Sequence, residues 1–348
     1  MKRDQEHFRG CLLGGAIGDA LGWPVEFLRL NEIKRRYGAS GITTLDLRNH
    51  PTAEITDDTQ MTLFTAEGLL RAESRSRERG ICHPPSVVYY AYLRWLHTQG
   101  YPKNQQHDRI YDGWLSGVKE LFASRAPGNS CLSALASGKH GTMEEPINNS
   151  KGCGGVMRVA PVGLFARKDL AFQIACECAA LTHGHPSGYL SAGVLAHIIA
   201  CVIDGMELEA AVQDALVVLA KYDGKEECET AIEKALDLAN SSLEPIAAIK
   251  SLGEGWIGEE AIAISIYCAL KYKDDFRQAL IAAVNHDGDS DSTGAITGNI
   301  LGAYLGIKRI PAEWVATVEM ADILIQMADD LLTGFQSGNE WWQRYPGW

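Results

Sequence analysis

The chain has 348 residues, 46% of them apolar and 22% charged, with a net charge of −12 at pH 7. This is the composition of a globular protein with a large core, and without a long basic run it excludes nucleic-acid binding through a broad basic face. Nine cysteines, an odd number with no CxxC pair, sit mostly inside apolar runs, as reduced thiols of a cytoplasmic protein do.

Near the N-terminus, the apolar stretch from Cys11 to Ile17 is short and closely flanked by Asp4, Glu6 and Asp19, which argues against a signal peptide. No run approaches the ~20 apolar residues that span a bilayer, so no membrane association is expected. Segment 8–22 reads as a helix with glycine at 10, 14, 18 and 22, all in one row. The segment from 26 to 50 is mixed and polar. A helix capped by Asp58 or Thr59 is expected to run to about Arg75, followed by a loop and a second helix over VVYYAYLRWLHTQ. Residues 98–112 look irregular, WLSGVKELF reads as a short helix, and 124–155 is a long Gly-, Ser-, Asn- and Pro-rich loop region.

Helical patterns then recur over 160–182, 187–204, 206–221, 225–240, 244–252, 259–271, 274–284, 293–306 and 311–335. Alternating apolar runs are nearly absent, which predicts an all-α protein folded as one domain over residues 1–348. The second glycine row, at 294, 298, 302 and 306, repeats the device of the first. Each interior glycine costs ~0.5–1 kcal/mol relative to alanine, and close helix approach is the usual compensation. Either the two rows pack on each other, or each packs a bulky neighbour. The aromatic tail, NEWWQRYPGW, is expected to fold back on the body.

Chemistry-bearing residues concentrate before two helices. Thr56-Asp57-Asp58 precedes one, and Asp289-Ser290-Asp291-Ser292 precedes another. Their four carboxylates and hydroxyls are hard oxygen donors suited to Mg²⁺ or Mn²⁺, and two divalent ions would balance the four charges. A lone acidic pair before a helix more often serves as a cap. The D-x-D-x-D run at 287–291 fails as an EF-hand loop, because Ser292 and Gly298 stand where Gly and Glu are required. In 148–161, Gly152, Gly154 and Gly155 leave amides free to approach a phosphate, although the sequence is no Walker motif. Arg158 reads equally well as a structural ion. His183 and His185 share a turn. Trp256 sits in a glycine-flanked loop, where it could stack on a ligand or seal the core.

Seven motifs in order, GCLLGGAIGDALGWPVEF, ITDDTQM, APGNSCLSAL, SKGCGGVMRVAPVGLF, LTHGHPSGYLSAG, GWIGEEAIAIS and NHDGDSDSTGAITGNILGA, resemble the ADP-ribosylglycohydrolase family, which includes the dinitrogenase-reductase-activating and ADP-ribosylarginine hydrolases. The resemblance implies a compact orthogonal helical bundle holding two Mg²⁺ or Mn²⁺ ions. Thr56, Asp57, Asp58, Asp289, Asp291 and Ser292 match the metal ligands. Glu26 matches a glutamate beside the metals, and it or one of the aspartates Asp57, Asp58, Asp289 and Asp291 would carry the catalytic proton.

Gly152, Cys153, Gly154, Gly155 and Met157 match the loop that holds the ADP portion, His183 a residue near the diphosphate, and Trp256 an aromatic beside the leaving group. Cys153 departs from the Asn of several eukaryotic relatives. The implied reaction is removal of ADP-ribose from a modified protein side chain, arginine foremost. A serine, poly(ADP-ribose) or O-acetyl-ADP-ribose linkage is the alternative, and a non-catalytic ADP-ribose-binding relative is a third reading. Housekeeping reversal and immunity to an ADP-ribosylating toxin both fit.

Overall fold

Glycine rows on two helices let their backbones touch, and that contact lies at the centre of the molecule. The computed structural model describes residues 1–347, of which none forms a strand; 65% of the chain is helical. The Gln5–Gly22 helix (α1) is capped by Asp4, whose side chain accepts from the His7 amide. Beyond a 3₁₀ turn at Trp23–Val25 the chain bends by 93° into the Leu30–Tyr37 helix (α2). Helix α2 falls in the segment read as merely mixed. It buries Ile33 alone, too little apolar periodicity to be seen in the sequence.

Next come Asp57–Arg79 (α3) and Pro84–Thr98 (α4), which pack on one another, and Asn129–Ala136 (α5), inside the region expected to be loop. Ala160–Phe165 (α6), Lys168–Ala180 (α7) and Pro186–Ile203 (α8) follow. The expected single helix over 160–182 is thus two, broken where Ala166 and Arg167 turn extended. After Leu208–Leu219 (α9), Glu226–Ala239 (α10), Pro245–Leu252 (α11), Gly258–Lys271 (α12) and Phe276–Val284 (α13), the second glycine helix spans Ser290–Leu305 (α14). Helices Ala312–Val315 (α15), Ala321–Thr333 (α16) and Asn339–Arg344 (α17) complete the chain.

The 311–335 pattern is likewise interrupted, by Met320 at φ +60°. WLSGVKELF forms two 3₁₀ turns, Leu115–Gly117 and Lys119–Leu121, instead of a helix.

A Cβ built on Gly10 would lie 2.3 Å from the Gly302 oxygen, one on Gly14 2.3 Å from that of Gly298, and one on Gly18 2.0 Å from that of Gly294. The rows therefore pack on each other directly. Gly22 continues the contact against Ser290, and Gly306, at φ +80°, caps the end of α14 with its backbone still against Gly10. Asn299 Nδ2 donates to the Cys11 carbonyl at 2.9 Å and fixes the register of the pair.

One continuous apolar core surrounds α1, α8 and α14. Helix α8 is the one described helix long and apolar enough by itself to cross a membrane, and 94% of it is buried inside the protein. The tail does return to the body, where Trp341 Nε1 donates to Ser74 Oγ at 2.8 Å and Tyr345 donates to Asp330 at 2.6 Å. Trp348, the last residue of that tail, lies outside the described residues.

Candidate active site

Helices α3 and α14 begin at the same cleft, each with an oxygen cap and acidic residues in its first turn. Thr56, in extended backbone, caps α3 by accepting from the Asp58 amide at 3.3 Å. The cap therefore lies two residues before the first of the expected positions, and Asp57 and Asp58 occupy the first turn. Asp289 caps α14 by accepting from the Ser292 amide at 3.3 Å, with Asp291 in the first turn. Both acidic pairs complement the positive end of a helix dipole. The contact of α1 with α14 and the packing of α3 beside them bring the two halves together across more than two hundred residues of sequence.

A cleft of about 210 Å³ opens between them, lined by Glu26, Asp57, Asp58, Asp289, Asp291 and Ser292 on one side. Gly152, Cys153, Gly154, Met157, His183 and Trp256 also line it. Of the residues singled out in the sequence, Thr56 and Gly155 lie behind this surface. Thr56 is fully buried as the α3 cap, and a Cβ on Gly155 would fall 2.5 Å from the Gly188 carbonyl oxygen. Gly155 is thus required by packing.

The five cleft carboxylates are only 3–7% exposed. Oxygens of Glu26, Asp289 and Asp291 lie within 4.8 Å of one another. Burial, and then the neighbouring carboxylates Asp289, Asp57 and Asp19, push the Glu26 carboxyl up to about 9. Asp57, Asp58 and Asp291 are also raised well above the usual carboxylate range, first by burial and then by neighbouring carboxylates, Asp19 and Asp289 for Asp57 and Asp58 and Glu26 and Asp58 for Asp291. Asp57 Oδ2 accepts from the Gly128 amide at 3.2 Å. Glu26 Oε2 and Asp58 Oδ2, by contrast, are buried without a hydrogen-bond partner among the described residues. Orphaned oxygens in a crowd of like charges fit a site for divalent cations, which would satisfy the lone pairs and relieve the repulsion.

On the opposite wall the Gly152–Gly155 turn is tied by backbone: Cys153 N donates to the Trp256 carbonyl at 3.1 Å and Gly258 N to that of Lys151 at 2.8 Å. His183 packs beneath this turn. Its Nδ1 is 2.8 Å from Thr182 Oγ1, and Arg158 donates to that hydroxyl at 2.7 Å. Burial and the Arg158 charge push the His183 imidazole down to about 3, so at neutral pH it is an uncharged hydrogen-bonding group. Arg158 is fully buried, donates also to the Cys178 carbonyl and lies 4.3 Å from the centre of the Tyr92 ring; its role is structural. His185 caps α8 and is likewise structural. Trp256 is 38% exposed at the rim and stacks on Phe27, itself 70% exposed, with ring centres 5.9 Å apart.

Two features of the site escaped the sequence. Asp19, fully buried on α1, accepts from the Thr56 amide and from both the amide and hydroxyl of Thr59. It holds the start of α3 in place, and its burial lifts its carboxyl to about 6 despite those bonds. The signal is an acid within the apolar, glycine-rich part of α1, from Gly10 to Gly22. Ala126, Gly128, Asn129, Ser130 and Cys131, from the APGNSCLSAL motif, form a further wall.

The sequence profile of the ADP-ribosylglycohydrolase family matches residues 1–340. Among curated proteins, the chain is 27% identical to the ADP-ribosylarginine hydrolase Tri1 of Serratia proteamaculans, over 93% of this chain and 78% of that one. It is 26% identical to the mouse ADP-ribosylhydrolase ARH3 (Mus musculus), over 97% and 94% of the two chains. A solved structure described as an ADP-ribosylglycohydrolase-related protein complex superposes with a TM-score of 0.66 at 23% identity, covering 95% of this chain and 98% of the other. The protein belongs to the ADP-ribosylglycohydrolase family.

Proposed function

We propose that this protein is a divalent-cation-dependent hydrolase that removes ADP-ribose from modified protein side chains, arginine foremost, and releases free ADP-ribose. The observation that carries the reading is the cleft itself, where five buried carboxylates face a glycine turn and an exposed aromatic rim. The arginine reading is supported by the name of the Tri1 relative and by the Phe27–Trp256 shelf, against which a planar guanidinium can lie. The match to a relative named only as an ADP-ribosylhydrolase favours, as a second reading, another linkage on the same fold: serine, poly(ADP-ribose) or O-acetyl-ADP-ribose. All nine cysteines are free thiols, in keeping with a cytoplasmic enzyme. The charge of −12 leaves nucleic acid an unsuitable partner.

In this scheme Asp57, Asp58, Asp289, Asp291 and Ser292 line the cleft and hold the cations, two Mg²⁺ or Mn²⁺, with the Thr56 oxygen reaching them from behind the surface. When bound, these ions neutralise the carboxylates and bring positive charge to the ribose hydroxyls. The Gly154 amide and neutral His183 offer hydrogen bonds to the diphosphate, so an acidic protein can accept an anion locally. Glu26 lines the cleft beside Asp289 and Asp291, and once bound cations offset the charges that raise its carboxyl it is in position to take a proton from the attacking water. Water adds to the anomeric carbon, the carbon–nitrogen bond breaks, and the proton passes to the departing guanidine nitrogen.

The test is to incubate the protein with arginine-linked and serine-linked ADP-ribosyl substrates, with Mg²⁺ and with EDTA. Release from the arginine substrate that EDTA abolishes is expected. Release from the serine substrate alone would select the second reading, and release from neither would make the protein a binding module.

A further inference from the structure

Cys153 places a soft donor in a cleft otherwise furnished with hard oxygens. Its Sγ lies 2.7 Å from Asp289 Oδ2, and Ser292 Oγ is 3.6 Å from the same sulfur. Both oxygens belong to the set assigned above to the cations. The sulfur is therefore on the cation side of the loop, whereas the Cys153 amide is held from behind by the Trp256 carbonyl. The adjoining bridge between Gly152 and Ile257 fixes the same stretch of backbone. Cys153 is half-buried and shares the cleft with the unpartnered oxygens of Glu26 and Asp58, which are 7% and 3% exposed. A ligand that satisfies those oxygens would lie within the same small space as the sulfur.

Thiolate ligands select borderline and soft ions such as Zn²⁺, Co²⁺ and Cd²⁺, whereas carboxylates and hydroxyls suit Mg²⁺ and Mn²⁺. We infer that Cys153 is a sulfur donor to the cation site at Asp289, so that this protein binds thiophilic divalent ions more tightly than an all-oxygen centre would. The inference rests on the cation site proposed above and adds to it the class of ion that this chain prefers. On binding, the thiol loses its proton to solvent as the sulfur–metal bond forms, with no change in oxidation state. Zinc in place of magnesium would then occupy the position from which the ribose hydroxyls are held, which makes thiophilic ions competitors at the centre.

The probe is Co²⁺, titrated into the metal-stripped full-length protein and read by absorption. Visible d–d bands report binding, and a near-ultraviolet thiolate-to-cobalt charge-transfer band reports sulfur ligation. Both are expected in the unaltered protein. Cys153→Ser should keep the d–d bands, lose the charge-transfer band and weaken Cd²⁺ binding about tenfold or more, with Mg²⁺ binding little changed. His197, Cys201 and Asp214 also lie together, so Cys201→Ala serves as a control and should keep the charge-transfer band. Bands of the d–d type without charge transfer in the unaltered protein would overturn the sulfur ligand and leave the cation site standing. A charge-transfer band that survives Cys153→Ser would also overturn it. Absence of any cobalt band would remove both the sulfur ligand and the cation site. Unchanged far-ultraviolet circular dichroism of Cys153→Ser establishes that the variant folds.

Discussion

The carbonyl oxygen of Gly14 lies 2.0 Å from where a Cβ on residue 298 would be, so Gly298 tolerates no side chain. The obstruction is backbone, which no rotamer change relieves. Gly298→Ala is expected to destabilise the protein by about 3 kcal/mol or more, through forced separation of α1 and α14. Gly117 has open space around it, and Gly117→Ala should change stability by no more than about 0.5 kcal/mol. Urea unfolding of the two variants makes the comparison.

Asp19 acts on the cleft from behind it. Asn at position 19 keeps the shape but loses one acceptor and turns an amide towards the donors of Thr56 and Thr59. Asp19→Asn is expected to cost about 2 kcal/mol of stability. It should also weaken Mg²⁺ binding, because the turn that presents Asp57 and Asp58 loses its anchor. Calorimetric titration with Mg²⁺, run beside urea unfolding, reads both effects. Full stability with undiminished binding would remove Asp19 from this role.

Glu67 receives the Arg94 guanidinium at 2.7 and 2.9 Å, with Arg71 3.7 Å away, and all three side chains are at most 1% exposed. Glu67→Ala takes from the buried Arg94 its carboxylate partner, while Arg71 keeps Asp112, and should cost about 3–5 kcal/mol. The residue lies outside the cleft, so the fraction that remains folded should hydrolyse substrate at the unaltered rate. Urea unfolding and a turnover rate per folded molecule check the two halves.

Charge repulsion in the cleft predicts how stability depends on pH. Carboxyls whose folded values are raised bind more protons folded than unfolded, so their stabilisation is present below the unfolded values and is lost as pH rises through the folded ones. For Glu26, raised to about 9, and for Asp57, Asp58 and Asp291, also raised, the loss falls across the range from about 5 to 9. The melting temperature of EDTA-treated protein should therefore fall from pH 5 to pH 9. The increment in Tm produced by Mg²⁺ should widen over the same range. Thermal melts at several pH values, with and without the ion, provide the check; an increment independent of pH would contradict the account.

The sequence discloses the parts of this molecule that depend on local pattern. The two acidic clusters, the glycine turn and the glycine rows are all legible as residue types at fixed spacing. Helix breaks are less so: Ala166 and Arg167 turn extended within a run whose apolar periodicity continues across them. The cap of α3 is not fixed by local pattern, because Thr56, Asp58 and Thr59 can all cap a helix, and the Asp19 bonds to the Thr56 amide and to Thr59 decide among them. Asp19 itself was hidden because one polar residue on an apolar helix has no partner until α3 is folded against α1. The partnership of residues 56–58 with 289–292 is a long-range fact, inferred from chemistry and realised by contact between glycines.

Asp291→Ala separates a working cation centre from an idle one when one preparation is measured by Mg²⁺ titration calorimetry and by release of ADP-ribose from an arginine-linked substrate. The account predicts that the unaltered protein binds the ion and releases ADP-ribose, and that the folded variant does neither. A folded variant that remains fully active would contradict it.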